Sequence, residues 1–472
     1  MHWRATIVVL LVLVGARAQA HAFGARYDLP LPLELYLAAA GMAVAASFAG
    51  ALIFLRARHL RTVHLDITIP AKAGRVLSTI LGIVGVLGLA ILLGAAFSGP
   101  QEAVRNLATV WVWVIWWVGF LLFSALVVCL WPQIDPFRRL SALLASAAGR
   151  PWTGTGDTLP SAAGLLAPAG LLAIAWIELV SDWSEDPGAV GVLVITYLVV
   201  ALLGGLAWGQ EWFRVADPLS RIFAMLGRVA PLSVARRTVL RVRPPGDGLL
   251  ERSEPIRGEV ALVTGLIGIV LFDGLSETPA WVAVLDFVSE SQSLRPALLW
   301  LRDQGADLIK VVRTVGLFAT IASFYGVYWL LIVLMRVLTD GGLTIGQLQR
   351  GFVGTLLPIA VAYHLSHYIS YLLIAGQLFF PAASDPFGLG WDLFGTRNWS
   401  IEISIIGAEQ IWWIAFTALI IGHALSVLIA HRRALQLFRD ARRAAISQVP
   451  MTIAMVGLTV LSLWVLSQPI TE

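Results

Sequence analysis

Histidine, tyrosine and carboxyl side chains interrupt several long apolar runs of this sequence. The densest group is Tyr-His-Leu-Ser-His-Tyr-Ile-Ser-Tyr at residues 363–371. Helical spacing of three and four residues places His364, His367 and Tyr371 on one face. If the run crosses a membrane, that face must point into a helix bundle or a water-filled cavity. Ionisable groups are costly in a bilayer, so this face predicts a functional site.

Further polar groups lie in or beside other apolar runs. Glu178, Asp273 and Glu409 lie near run ends that we expect to face the same side of the membrane, and Tyr325 and Tyr328 lie within another run. If these side chains lie close to the histidine face in the folded protein, they would form a polar pocket in the outer half of the bundle. We therefore predict catalytic roles for these five residues.

The histidines also suggest ligand chemistry. Two imidazoles three residues apart can bind one metal ion, which predicts a divalent metal or copper site at His364 and His367. His21 at a new N-terminus would offer an amine and a ring nitrogen, a chelate suited to copper. His423, deep in another run, is predicted to bind a cofactor, as a further metal ligand or as a haem ligand beside His364 or His367. Hydrogen bonding between helices and a proton relay stay open as alternatives.

Several other kinds of site lack their motifs. No Glu-x-x-His pair lies in any apolar run, which argues against a di-iron carboxylate bundle. The histidine boxes of membrane desaturases and the phosphate-binding P-loop are also absent. The single cysteine, Cys129, excludes an intramolecular disulfide and a CxxC redox pair.

Composition sets the class of protein. Apolar residues make up 58% of the 472 positions and charged residues 13%, about half the charged share of a soluble domain. Runs of about 20 apolar residues are long enough to cross a bilayer. We predict an all-α, polytopic bundle of ten spans, near residues 33–55, 76–97, 107–131, 160–180, 190–208, 260–275, 315–335, 352–380, 405–430 and 451–466. Asp273 interrupts the sixth run, which therefore suggests a broken or re-entrant helix there.

The first residues resemble a secretory signal. Arg4, an apolar stretch over residues 7–14 and Ala18-Gln19-Ala20 match its charged, hydrophobic and small-residue parts. We predict a signal peptide over residues 1–20, cleavage before His21 and one transmembrane domain over residues 21–472. The lipid bilayer is then its main partner, with a small apolar substrate or an ion as ligand.

Basic residues predict the orientation. Of the 33 Lys and Arg residues, 24 fall in alternate loops, among them a basic loop at residues 210–257. Positive loops stay in the cytoplasm, so both mature termini are predicted outside, in a bacterial inner membrane. This asymmetry explains the sequence pI of about 9.4 without nucleic acid as a partner.

Two Asp-Pro segments suggest a duplicated two-span unit within residues 76–230. Asp135-Pro136 follows the third run and Asp217-Pro218 follows the fifth. Each pair places Asp at a helix N-cap and Pro in the first turn. We predict two short helices lying on the cytoplasmic surface.

The chain resembles a family of bacterial membrane proteins described as fenitrothion hydrolases. The resemblance rests on His-Ala-Phe-Gly-Ala-Arg-Tyr-Asp-Leu-Pro-Leu-Pro-Leu at residues 21–33 and on the Asp-Pro segments. It implies hydrolysis of an organophosphate triester, a reaction that usually needs an activated water and a Lewis acid. The competing hypotheses are a transporter or copper-handling protein and a haem-binding electron carrier.

Overall fold

The computed structural model describes residues 32–54, 64–150, 152, 159–235, 238–251, 256–340, 342–438 and 440–468. The predicted signal peptide and His21 therefore lie outside the described residues. The helices are α1 (Leu33–Phe54), α2 (Ala71–Ser98), α3 (Leu107–Leu126), α4 (Trp131–Ile134), α5 (Pro136–Ala147), α6 (Leu166–Leu179), α7 (Pro187–Trp208), α8 (Gln210–Val215), α9 (Pro218–Leu226), α10 (Glu259–Ser276), α11 (Pro279–Glu290), α12 (Arg295–Asp303), α13 (Leu308–Leu338), α14 (Ile345–Phe352), α15 (Leu357–Ala375), α16 (Phe379–Ser384), α17 (Ala408–Leu437), α18 (Ala441–Ser447) and α19 (Val449–Ser467).

Ten helical stretches among the described residues are long and apolar enough to cross a membrane. They coincide with the ten predicted spans, so the prediction of an all-α, multi-pass membrane bundle is confirmed. The eighth stretch is longer than predicted, because α14, α15 and α16 follow one another through short 3-10 turns over Ile345–Ser384.

The sixth span differs from its prediction. α10 continues without a break through Asp273 to Ser276, and the apolar segment that follows forms the separate helix α11. The aspartate does not break the helix because its carboxylate has partners on α15, as described below. The prediction of a broken or re-entrant helix is therefore wrong.

The centre of the bundle is built around α15, which packs against α17 on one side and α10 on another. Gly422 of α17 permits the close approach, since a Cβ atom there would overlap the Cβ of Ala362. Hydroxyl groups fix the register of the two helices. Ser366 Oγ donates to the carbonyl of Ala415 at 3.1 Å, and Ser426 Oγ donates to the carbonyl of Thr355.

The third span is not a regular α-helix. Its central part, Val110–Phe120, is π-helical and contains four tryptophans. π-Helical segments are rare and occur often at functional sites. Asn106 is the N-cap residue of α3, and its side chain accepts a hydrogen bond from the amide of Ala108 at 2.8 Å.

A small antiparallel sheet joins two of the segments that connect the spans. β1 (Leu65–Thr68) pairs with β3 (Val239–Val242), which also pairs with β2 (Leu232–Ala235). Arg241 of β3 donates two hydrogen bonds, of 2.8 and 3.0 Å, to the carboxylate of Asp66 on β1. The sheet therefore ties the segment before α2 to the segment between α9 and α10.

The two Asp-Pro helices form as predicted, but one of them lies elsewhere. Asp135 caps α5 by accepting from the amide of Arg138, and Asp217 caps α9 by accepting from the amide of Ser220. The predicted surface position is wrong for α9, because six of its nine residues are buried. Its apolar face packs against α6 and α3, which explains why it enters the bundle.

The N-terminal ends of α5 and α9 also lie in contact with each other. Ser220 Oγ lies 3.5 Å from Asp135 Oδ2, and the Tyr197 hydroxyl donates to Asp217 at 2.5 Å. Burial, reinforced by the charge of Asp217, raises the pKa of Asp135 to about 7. Burial also raises the pKa of Asp217. The folded protein therefore holds protons here that the unfolded chain releases at lower pH.

This arrangement predicts that the protein becomes less stable as pH rises from about 4 to about 7. Asp135 alone should lower the free energy of unfolding by roughly 2 to 3 kcal/mol between about pH 5 and pH 8. The amide introduced by Asp135→Asn can still cap α5 but cannot titrate, so the melting temperature of this variant should depend less on pH. Thermal unfolding in detergent measures this slope, and Asp286→Asn, an exposed change on α11, is the control. If the melting temperature of Asp135→Asn depended on pH as strongly as that of the wild-type protein, Asp135 would not be the group responsible.

Candidate functional site

Asp273 of α10 is the centre of a polar cluster inside the bundle. It lies one turn before the end of α10 and is only 4% exposed. One carboxylate oxygen, Oδ2, accepts from the Tyr368 hydroxyl at 2.5 Å and lies 2.9 Å from His367 Nε2. A buried carboxylate is stable only when it is paired or hydrogen-bonded, and α15 supplies both partners.

The partners lie on one face of α15 because of their helical spacing. His364 lies three residues before His367 and four before Tyr368, and Tyr371 lies four residues after His367, so all of them fall within two turns of the helix. The ring of Tyr368 lies between the two imidazoles, with centroid distances of 4.6 Å to each. The prediction that His364, His367 and Tyr371 share one face of a helix is thus confirmed.

A small cavity adjoins this face. It has a volume of about 30 Å³ and is lined by His364, Tyr368 and apolar residues of α3, α6, α9, α10 and α15. A cavity of this size holds roughly one or two water molecules. His364 Nε2 is buried and has no hydrogen-bond partner among the described residues. The imidazole therefore has a free ring nitrogen beside a cavity that could hold water.

Glu178 contributes a second carboxyl group from α6. Its Oε2 accepts from the indole Nε1 of Trp117 at 2.8 Å, within the π-helical part of α3. The carboxyl groups of Glu178 and Asp273 are close enough to interact electrostatically, and both act on Tyr368. The structure thus brings together Glu178, Asp273, His364 and His367.

A third carboxyl group links the cluster to the end of the span. Glu277 follows α10 directly, four residues after Asp273, so both side chains lie on one side of the helix. Glu277 is partly exposed and interacts electrostatically with His367 and Tyr368. The buried pair therefore has an acidic neighbour at the surface.

Three of the residues predicted to be catalytic lie elsewhere. Glu409 is exposed in the first turn of α17, and Tyr325 is 40% exposed on α13. Tyr328 is buried, but its hydroxyl donates to the carbonyl of Gln349 at 2.7 Å and lies near Glu259. Glu259 begins α10, about 21 Å along the helix from Asp273. Only Glu178 and Asp273 of the five converge, which corrects the predicted pocket.

Among the described residues, the predicted metal and cofactor ligands His364, His367 and His423 do not assemble as a set. Among the described residues, no group of three or more His, Cys, Asp and Glu side chains could hold a metal ion, whereas a protein zinc site needs at least three such ligands. His423 is fully buried on α17, where its Nδ1 lies 2.8 Å from the carbonyl of Leu419 in its own helix. The metal role of His21 stays a prediction, since it lies outside the described residues.

Two functional side chains were not among the predicted site residues. Tyr368 binds Asp273 directly, and Trp117 binds Glu178. The signal for Trp117 was its position in the middle of a span, where an indole N–H needs a protein acceptor.

Comparisons with known proteins add no relative. No family model matches the chain, and neither the curated proteins nor the solved structures give a match.

Proposed function

We propose that this membrane protein moves protons through the bundle, with the Asp273–His367 pair as the proton-binding site. The observation that carries the proposal is the contact of 2.9 Å between a buried carboxylate and a buried imidazole inside two spans. Ionisable groups are retained in a membrane mainly where they serve an ion or proton pathway. A carboxyl and an imidazole can both bind and release a proton.

The pair can hold one proton in two forms of equal total charge. The proton is on Asp273 beside a neutral imidazole, or on His367 as imidazolium beside a carboxylate. Transfer between them breaks one O–H bond and forms one N–H bond over 2.9 Å. The Tyr368 hydroxyl donates to the same oxygen, so it stabilises the carboxylate when the proton is on His367.

An acidic residue lies on one side of the pair and a small cavity on the other. Glu277 lies towards the end of α10, the side that the basic loops predict to be external. On the other side, the small cavity beside His364 reaches Leu226 of α9 and Leu266, which lies about two turns before Asp273 on α10. Water bound at His364 Nε2 in this cavity would extend the relay by one step.

The cluster fits a proton better than a metal ion or a large substrate. Its described carboxyl and imidazole groups do not form a three-ligand set, and its cavity of about 30 Å³ takes only water-sized molecules. A proton needs neither a coordination shell nor a wide opening. This comparison favours a relay among the hypotheses that the sequence left open.

Proton flux into liposomes tests the proposal. Liposomes with purified protein and an internal pH-sensitive dye receive a potassium diffusion potential set with valinomycin. We expect them to acidify faster than protein-free liposomes. Asp273→Asn keeps hydrogen-bonding capacity but cannot exchange a proton at that site, so its flux should fall to the protein-free level.

The matched control is Tyr325→Phe, which removes a hydroxyl from a partly exposed residue of α13 outside the cluster. Its flux should equal that of the wild-type protein. A wild-type flux no greater than that of protein-free liposomes would overturn the proposal. A wild-type flux that survives in Asp273→Asn would overturn the assignment of the site.

A second candidate is the phosphotriester hydrolysis implied by the resemblance to fenitrothion hydrolases. The observation that favours it is again the His367–Asp273 contact, because a carboxylate can orient an imidazole as general base for an attacking water. Purified protein would then release the coloured phenol from fenitrothion, and His367→Gln would not. Absence of phenol release by the wild-type protein would exclude this candidate.

A further inference from the structure

A second and much larger cavity lies on the other side of the π-helical segment. It has a volume of about 300 Å³ and lies between α2, α3, α6 and α7, with α4, α5 and α9 at one end. Trp116 lines this cavity, whereas its neighbour Trp117 binds Glu178. The cavity reaches the outside of the bundle at Val84, which is 52% exposed on α2. A ligand dissolved in the bilayer could therefore enter from the side.

The walls of this cavity are unusually aromatic. Six of the side chains that line it are Trp111, Trp113, Trp116, Phe120, Trp131 and Phe137. Aromatic rings pack best against other flat rings, in stacked or edge-to-face geometry. The volume lies at the lower end of the range for small-molecule sites, so a lipid with two acyl chains would not fit.

The indole N–H of Trp131 is a buried hydrogen-bond donor in the wall of this cavity. Trp131 is 4% exposed, its ring stacks on Phe223 with a centroid distance of 4.9 Å, and its indole N–H has no acceptor among the described residues. Two other polar groups that line the cavity are engaged: Trp113 donates to the carbonyl of Ser184, and Tyr197 donates to Asp217. Because an unpaired buried donor is costly, the cavity favours a ligand that brings an acceptor.

We infer that this cavity binds an uncharged, planar ring compound that carries a carbonyl oxygen and accepts a hydrogen bond from Trp131. The aromatic walls select the ring, the volume limits its size, and the indole N–H selects the oxygen. A quinone-like molecule from the bilayer has all three properties. This inference is independent of the proton relay, because it uses none of the residues in the Asp273 cluster.

Calorimetric titration of the purified protein in detergent tests the inference with two matched probes. Menadione has a fused planar ring with carbonyl oxygens, and methylnaphthalene has a similar ring without them. We expect both to bind and menadione to bind more tightly. Trp131→Phe keeps an aromatic ring but removes the N–H. The affinity for menadione should therefore fall about tenfold, equivalent to one hydrogen bond of roughly 1.4 kcal/mol. The affinity for methylnaphthalene should be unchanged in this variant.

A variant that fills the space locates the site. Gly88 of α2 lines the cavity, and Gly88→Leu should abolish binding of both probes. Gly326→Leu, on α13 where a Cβ atom meets nothing within 4 Å, is the control and should bind as the wild-type protein does. Binding that survives in Gly88→Leu, equal weakening of both probes by Trp131→Phe, or absence of saturable binding would overturn the inference. Displacement of menadione by decane at equal concentration would overturn it too, since an alkyl chain would then be the occupant.

Discussion

Asp273→Ala is expected to lower the free energy of unfolding by roughly 3 to 5 kcal/mol, the usual cost of removing one partner from a buried ion pair. The change leaves His367 Nε2 and the Tyr368 hydroxyl without their shared acceptor inside the bundle. It also leaves a small void beside α15. Thermal unfolding in detergent should show this as a large fall in melting temperature.

The comparison with Asp273→Asn separates charge from hydrogen bonding. An asparagine can accept from Tyr368 and donate to His367, so it should cost much less stability than alanine. Asp286→Ala, an exposed change on α11, should leave the melting temperature nearly unchanged. If Asp273→Ala melted at the wild-type temperature, Asp273 would not anchor the cluster.

His367→Gln is expected to reduce proton flux into liposomes roughly a hundredfold or more, the size of effect typical of removing a proton-transfer group. Glutamine can keep a hydrogen bond to Asp273 but cannot bind a proton in the same pH range. The loss should therefore occur with little change in melting temperature. Dye acidification under a potassium diffusion potential measures it.

The chain offers a matched control in His423, another fully buried histidine of a neighbouring span. His423 bonds to its own helix at Leu419 rather than to a carboxylate. His423→Gln should therefore retain wild-type flux. Equal losses in both variants would indicate a general effect of removing a buried imidazole and would contradict the special role of His367.

Much of the fold could be predicted because its determinants are local. The apolar runs defined ten spans, and Asp135-Pro136 and Asp217-Pro218 defined two helix starts. The spacing from His364 to Tyr371 defined one face of α15. None of these predictions depends on which helices pack together.

The predictions that were wrong concern features that depend on packing between segments far apart in the sequence. The continuity of α10 follows from partners of Asp273 that lie 94 and 95 residues further along the chain. Tyr328 was predicted to join the histidine face, but its hydroxyl donates to the carbonyl of Gln349 on α14, near the Glu259 end of α10. The position of α9 inside the bundle and the strand pairing of Asp66 with Arg241 also join segments that are far apart in sequence.

We expect Asp273 to exchange a proton inside the bundle, and infrared difference spectroscopy tests this exchange most directly. Spectra of the protein in lipid, recorded as the pH is stepped, should contain a protonated carboxyl band that Asp273→Asn removes and His367→Gln shifts. A pH-difference spectrum of Asp273→Asn identical to that of the wild-type protein would contradict the claim.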